Sequence, residues 1–122
     1  MQKLVKIHPL TQRYMEVDEN RAKREAIDLL QYIQKNISPA KDEHEIWKHV
    51  VPLCEKVIND QVELPIPVEA RPLKYQVREG LLSREFEEKY APFALTITGT
   101  PREITKDVYL NGETYTYVDF ED

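Results

Sequence analysis

The chain has 122 residues, 17 Lys/Arg against 22 Asp/Glu and a formal net charge of −5. A chain this long supports one domain with its own core, burying roughly two-thirds of the surface its unfolded form exposes, so neither a disulfide framework nor a structural metal is required. Its 41% hydrophobic and 32% charged residues exclude a disordered or collagen-like protein, and the absence of any long apolar run argues against a transmembrane helix or a secretory signal core, which points to a cytoplasmic protein.

Residues 3–8 (KLVKIH) and 13–17 (RYMEV) alternate apolar and polar side chains as half-buried strands do, with P-L-T-Q between them. Pro9 starts a turn readily, so a β-hairpin is expected. Asp18 is placed to cap a helix over residues 19–36, with Glu19 near the positive end of its dipole. Ala22, Ala26, Leu29, Leu30, Ile33 and Ile37 fall on one face of that helix, while Lys23, Asp28, Gln31 and Lys35 take the wet side.

Ser38-Pro39 reads as a stop for this helix and a cap with first-turn proline for the next, which runs to about Asp60. Trp47, Val50, Val51, Cys54 and Ile58 form its stripe, widened by Ile46, Leu53 and Val57. Pro52 has no N–H for the Lys48 carbonyl, so the helix is expected to kink there or to restart with Pro52 in its first turn. Residues 64–72 (LPIPVEARP) hold three prolines and no glycine, which predicts an extended polyproline or edge-strand stretch, either a strap over its own domain or an arm docked on another subunit. Strand alternation resumes at Leu73, Tyr75 and Val77. A short helix from Ser83 buries Phe86 and Tyr90, and residues 94–98 (ALTIT) read as a strand ended by Gly99 and Pro101.

Asn111-Gly112 is the strongest turn signal, because both residues tolerate the positive φ of a type I′ hairpin turn. The two-residue turn sets Leu110 opposite Glu113, Tyr109 opposite Thr114 and Val108 opposite Tyr115. Val108, Leu110, Tyr115 and Tyr117 then share one face, and Tyr109, Val118 and Phe120 the other. The whole is an α+β domain spanning residues 1–122, its two main helices packed on a mostly antiparallel sheet with hairpins at both ends of the chain.

Three scattered glycines exclude a phosphate-cradling loop, and no G-x-S-x-G elbow is present. The densest run of potential ligands is D-E-H-E-I-W-K-H at residues 42–49. His44 and His49 lie roughly 140° apart around a helix, so they cannot converge as H-E-x-x-H ligands do. Glu45 and His49 share a face and would form a salt bridge or, on an alternative reading as a small enzyme, hold a metal. Cys54 sits on the apolar stripe as a small hydrophobe rather than a nucleophile. Glu85, Glu87 and Glu88 read as a solvated face. No catalytic residue, metal site or cofactor is assigned.

The charge deficit lies in residues 83–122, where four Lys/Arg meet nine Asp/Glu, and an acidic chain lacks the cationic footprint of a nucleic-acid binder. In the C-terminal hairpin Tyr109, Tyr115, Tyr117 and Phe120 interleave with Glu113, Asp119, Glu121 and Asp122. Two aromatic faces are one more than a single core covers, and tyrosine flanked by carboxylates suits contact with a basic protein surface. These features predict a small, non-enzymatic, intracellular protein-binding module. An inhibitor or immunity-type protein, or an accessory or assembly subunit such as a phage one, fits that description, with a second copy of the chain as another admissible partner.

Overall fold

The computed structural model describes residues 1–39, 44–103 and 105–121. Its secondary structure comprises β1 (Gln2–Lys6), α1 (Glu19–Asn36), a π-helical turn (Ile46–Val50) running into α2 (Val51–Ile58), a 3-10 turn (Val68–Ala70), α3 (Lys74–Arg78), α4 (Arg84–Ile97), β2 (Asp107–Leu110) and β3 (Glu113–Asp119). The fold is α+β, with three α-helical elements gathered around one core and an antiparallel sheet in the order β1-β3-β2 beside them.

Helix α1 begins and ends as its sequence dictates. The Asp18 carboxylate accepts from the Arg21 N–H at 3.1 Å, and the apolar stripe is sunk completely at Ala22, Ala26, Leu29 and Ile33. That stripe packs on both α2 and α4. The core centre is built from Leu29 and Ile33 of α1, Val50 and Cys54 around the π turn, and Phe86, Phe93 and Ile97 of α4. Trp47, expected at this centre, lies only partly buried at its margin, where its indole N–H donates to the Ile37 carbonyl at 2.9 Å and ties the π turn to the end of α1. Leu30, also expected on the buried stripe, is likewise half-buried beside its fully buried neighbour Leu29.

Pro52 shapes the second helical region without breaking it. The Val51 N–H bonds to the carbonyl of Ile46, five residues back, so the turn before the proline widens and the helix continues through it. The start expected at Ser38-Pro39 lies partly outside the described residues; helix is present from His44 onward.

Two expected strands are helices. Residues 94–97 belong to α4 and Thr98 is its C-cap; the helix is capped at its start by Ser83, whose hydroxyl accepts from the Phe86 N–H at 3.1 Å, and runs through Pro92. Phe86, Tyr90, Phe93, Ala94 and Ile97 recur at steps of four, three, one and three, and burial of that continuous stripe outweighs the hydrogen bond lost at Pro92. The Leu73, Tyr75 and Val77 alternation is also helical: Val77 N–H bonds to Leu73 O and Glu79 N–H to Tyr75 O, which leaves Tyr75 and Val77 exposed while Leu73 is buried. Three alternating residues are too few to separate the two periodicities.

Residues 64–72 form a strap over their own chain. The Ile66 N–H donates to the carbonyl of Ile97 at 2.9 Å, Leu64 and Ile66 pack against the core, and the stretch ends in a 3-10 turn rather than an extended strand.

The N-terminal turn exists, but its second arm touches the sheet through a single bridge, Ile7 with Tyr14. The Tyr14 N–H is committed to the Gly99 carbonyl at 2.7 Å, which draws the arm away toward the end of α4. Strand β1 instead pairs along its length with β3, from Gln2 opposite Asp119 to Lys6 opposite Tyr115. The C-terminal hairpin has the register its Asn-Gly turn demands, Val108 opposite Tyr115 and Leu110 opposite Glu113, with φ of 51° at Asn111 and 79° at Gly112.

Candidate functional site on the C-terminal hairpin

The register decides which side chains the sheet presents. Val5, Ile7 and Thr116 are buried on the inner face, where the Thr116 hydroxyl donates to Thr105 Oγ1 and the Lys106 carbonyl. Leu4, Lys6, Val108, Leu110, Glu113, Tyr115, Tyr117 and Asp119 line the outer face, and none of them is buried. Leu110 is 44% and Tyr117 50% exposed there, while Tyr109, on the opposite side of the hairpin, is 74% exposed because the hairpin extends beyond the part of the inner face that is covered.

The acids of this surface are held within the chain rather than displayed as an open negative patch. Lys6 Nζ donates to Glu113 Oε1 at 2.8 Å and the Tyr115 hydroxyl to Glu113 Oε2 at 2.9 Å, a ladder across β1 and β3. Those hydrogen bonds lower the Glu113 carboxyl pKa and raise those of Lys6 and Tyr115 from their ordinary values. Asp119 accepts from the N-terminal amine at 3.2 Å. Glu121 takes the Arg24 guanidinium in a fork, with Nη2 2.6 Å from Oε1 and Nε 3.0 Å from Oε2, an arrangement that holds the carboxyl below its usual range. The Glu121 N–H also donates to Asp18 Oδ2 at 2.6 Å. Phe120 lies half-buried with Lys3 Nζ 5.3 Å from its ring centroid, a cation-π contact. Asp122 lies outside the described residues.

Glu45 and His49 make the contact their spacing allows, Nε2 to Oε2 2.9 Å, at a half-exposed position. Among the described residues no group of three or more His, Cys, Asp or Glu side chains converges as a metal site would require. Cys54 is fully buried, and burial pushes its thiol up to about 12, so it stays protonated at neutral pH.

One polar constellation escaped the sequence reading. Glu25, on the α1 face that faces α4, is buried and accepts from the Thr96 hydroxyl at 2.5 Å and from Arg102 Nη1 at 3.0 Å, with Arg21 Nε 3.9 Å away. Its place between Ala22 and Leu29 on the apolar stripe is the one signal that could have found it, whereas nothing near Arg102 announces its role. The adjoining cleft encloses about 50 Å³, room for a few waters but not for a metabolite. The cluster is a satisfied buried carboxylate that pins α1 to α4 and to the segment after it.

Comparisons with protein-family models, with curated proteins and with solved structures found no match to this chain. Among the described residues no helix is long and apolar enough to cross a membrane.

Proposed function

We propose that the protein is a non-enzymatic protein-binding module that engages its partner through the C-terminal hairpin and the outer face of the sheet. The observation that supports this most is the unburied aromatic and aliphatic surface of a register-locked sheet, with Tyr109, Leu110 and Tyr117 exposed on rigid strands. Tyrosines supply desolvated contact area with little conformational entropy to lose, which suits an interface centre. The hairpin acids contribute less to steering than their number suggests, because Glu113, Asp119 and Glu121 already have cationic partners within the chain. A basic partner is still the complement of the net charge, and whether the role is that of an inhibitor, an immunity-type protein or an assembly subunit, phage-type included, follows from the partner's identity.

The test compares affinity capture by the wild-type chain with capture by Tyr109→Ala/Tyr117→Ala. Both side chains are exposed, so the variant should melt as the wild type does, and a genuine partner should be retained by the wild type alone. Equal retention by a folded variant would move the interface off the hairpin. A partner at hand, the tyrosine variant should mainly raise the dissociation rate, while Asp107→Asn on the exposed edge strand should lower the association rate and its salt dependence.

A further inference from the structure

We infer that the groove between the π turn with α2 and the segment leading into α3 is a binding site for a small ligand bearing several phosphates. Lys48, Lys56, Arg71 and Lys74 line this groove, and none of the four has a carboxylate partner among the described residues. Other cations among the described residues also lack a carboxylate partner, but these four are gathered in one groove, whereas Lys3, Lys6, Lys23, Arg24 and Arg102 are each paired. Among the described residues the one carboxylate lining the groove, Glu45, is already bonded to His49.

The local backbone explains the gathering. Lys48, Pro52 and Lys56 succeed one another at four-residue steps along one helical face, and the π turn that Pro52 imposes lies in this wall of the groove. On the other wall Leu73 adopts a left-handed conformation, φ 64°, which reverses the chain between Arg71 and Lys74 so that both line the same cavity. The buried side chain of Leu73 and the bond from the Tyr90 hydroxyl to the Pro72 carbonyl hold this turn. Arg71 Nε is buried without a hydrogen-bond partner in the protein, a donor for which a bound anion or water would account.

The groove measures about 600 Å³, far more than one inorganic phosphate fills and within the range of small-molecule sites. Three flexible ammonium groups and one guanidinium suit a chain of phosphates, and the exposed ring of Tyr75 at the rim, with the Arg78 guanidinium 5.6 Å from its centroid on one side, offers its other side for stacking to a base attached to it. The chemistry is therefore that of a nucleoside di- or triphosphate. This site shares no residue with the hairpin surface and stands independently of the function proposed above.

Calorimetric titration of the full chain at fixed ionic strength with ATP, tripolyphosphate and adenosine tests the assignment. ATP and tripolyphosphate should bind with dissociation constants in the millimolar range or tighter, weakening as salt is raised, and adenosine alone should not bind measurably. Lys56→Gln/Lys74→Gln, both at exposed positions, should weaken ATP by about tenfold or more, while Lys35→Gln/Lys89→Gln, removing exposed lysines that do not line the groove, should leave it unchanged. No heat from either phosphate probe, or equal loss in the two double variants, would overturn the site. A single-stranded oligonucleotide that outcompetes ATP and depends on Lys56 and Lys74 would replace the small ligand with a nucleic acid.

Discussion

At the scale of single residues, the most constrained position is Gly99, where α4 ends. Its φ is 69°, its carbonyl accepts from the Tyr14 N–H, and a Cβ there would stand 2.4 Å from the Tyr14 carbonyl oxygen. Gly99→Ala should therefore destabilise by about 2 kcal/mol or more, combining a left-handed backbone with a contact to backbone that cannot swing aside. Gly80 also has a positive φ, 65°, but its missing Cβ would meet nothing within 4 Å, so Gly80→Ala should cost only about 1 kcal/mol. Denaturant unfolding of the pair checks this, and equal costs would show that the Tyr14 contact relaxes freely. The sequence marked Gly99 as a break between elements but held no sign of the close approach, because Tyr14 is 85 residues away along the chain. Glu25 follows the same logic in reverse, since its carboxylate became acceptable inside the core only through Thr96 and Arg102, which the fold brings from far downstream.

At the scale of elements, legibility followed the length and purity of each pattern. The limits of α1 could be read directly because a capping aspartate and five turns of stripe agree, and the hairpin register because Asn-Gly leaves one pairing open. The second half of α4 reads as a strand because A-L-T-I-T is apolar and β-branched, although the helical stripe from Phe86 runs across Pro92 into it, and α3 reads as a strand because an alternation of three residues is too short to exclude a helix. Within α1, Leu29 and Leu30 are neighbours of the same chemistry at different depths, Leu29 fully buried between α2 and α4 and Leu30 half-exposed. Leu29→Ala should cost about 2–5 kcal/mol through lost burial and the cavity left behind, and Leu30→Ala distinctly less. Chemical unfolding of both variants should separate them, and an inverted order would mean that α1 is rotated about its axis from the arrangement described.

At the scale of the whole molecule, the ionisable groups that folding perturbs are divided by location, and this fixes the shape of the stability profile. The carboxyls with lowered pKa, Glu113 and Glu121, lie at the surface of the sheet and C-terminal segment, where water screens them and their loss as pH falls below about 4.5 should weaken docking rather than the core. Among the groups with raised pKa, Lys6, Arg24 and Tyr115 lie at the surface beside their carboxylate partners, whereas Cys54 and Tyr90 are inside the core, driven up chiefly by burial, the thiol to about 12 and the phenol also upward from 10.0. For such acids the folded state keeps protons that the unfolded chain releases, so their contribution is fully present below the unfolded values and is lost as pH rises toward the folded ones. The unfolding free energy should hold level through neutral pH and then decline above about pH 9, by up to about 1.4 kcal/mol per pH unit for the Cys54 proton alone and more steeply once Tyr90 joins. Cys54→Ala should lose some stability at neutral pH from its cavity yet show a shallower decline between about pH 9 and 10, where the thiol titrates ahead of the tyrosines in the unfolded chain. Urea unfolding of the two proteins across that range decides the point. Parallel curves would mean that the thiol meets water in the folded state, and the seam between α1 and α2 would then be looser than the complete burial of Cys54 implies.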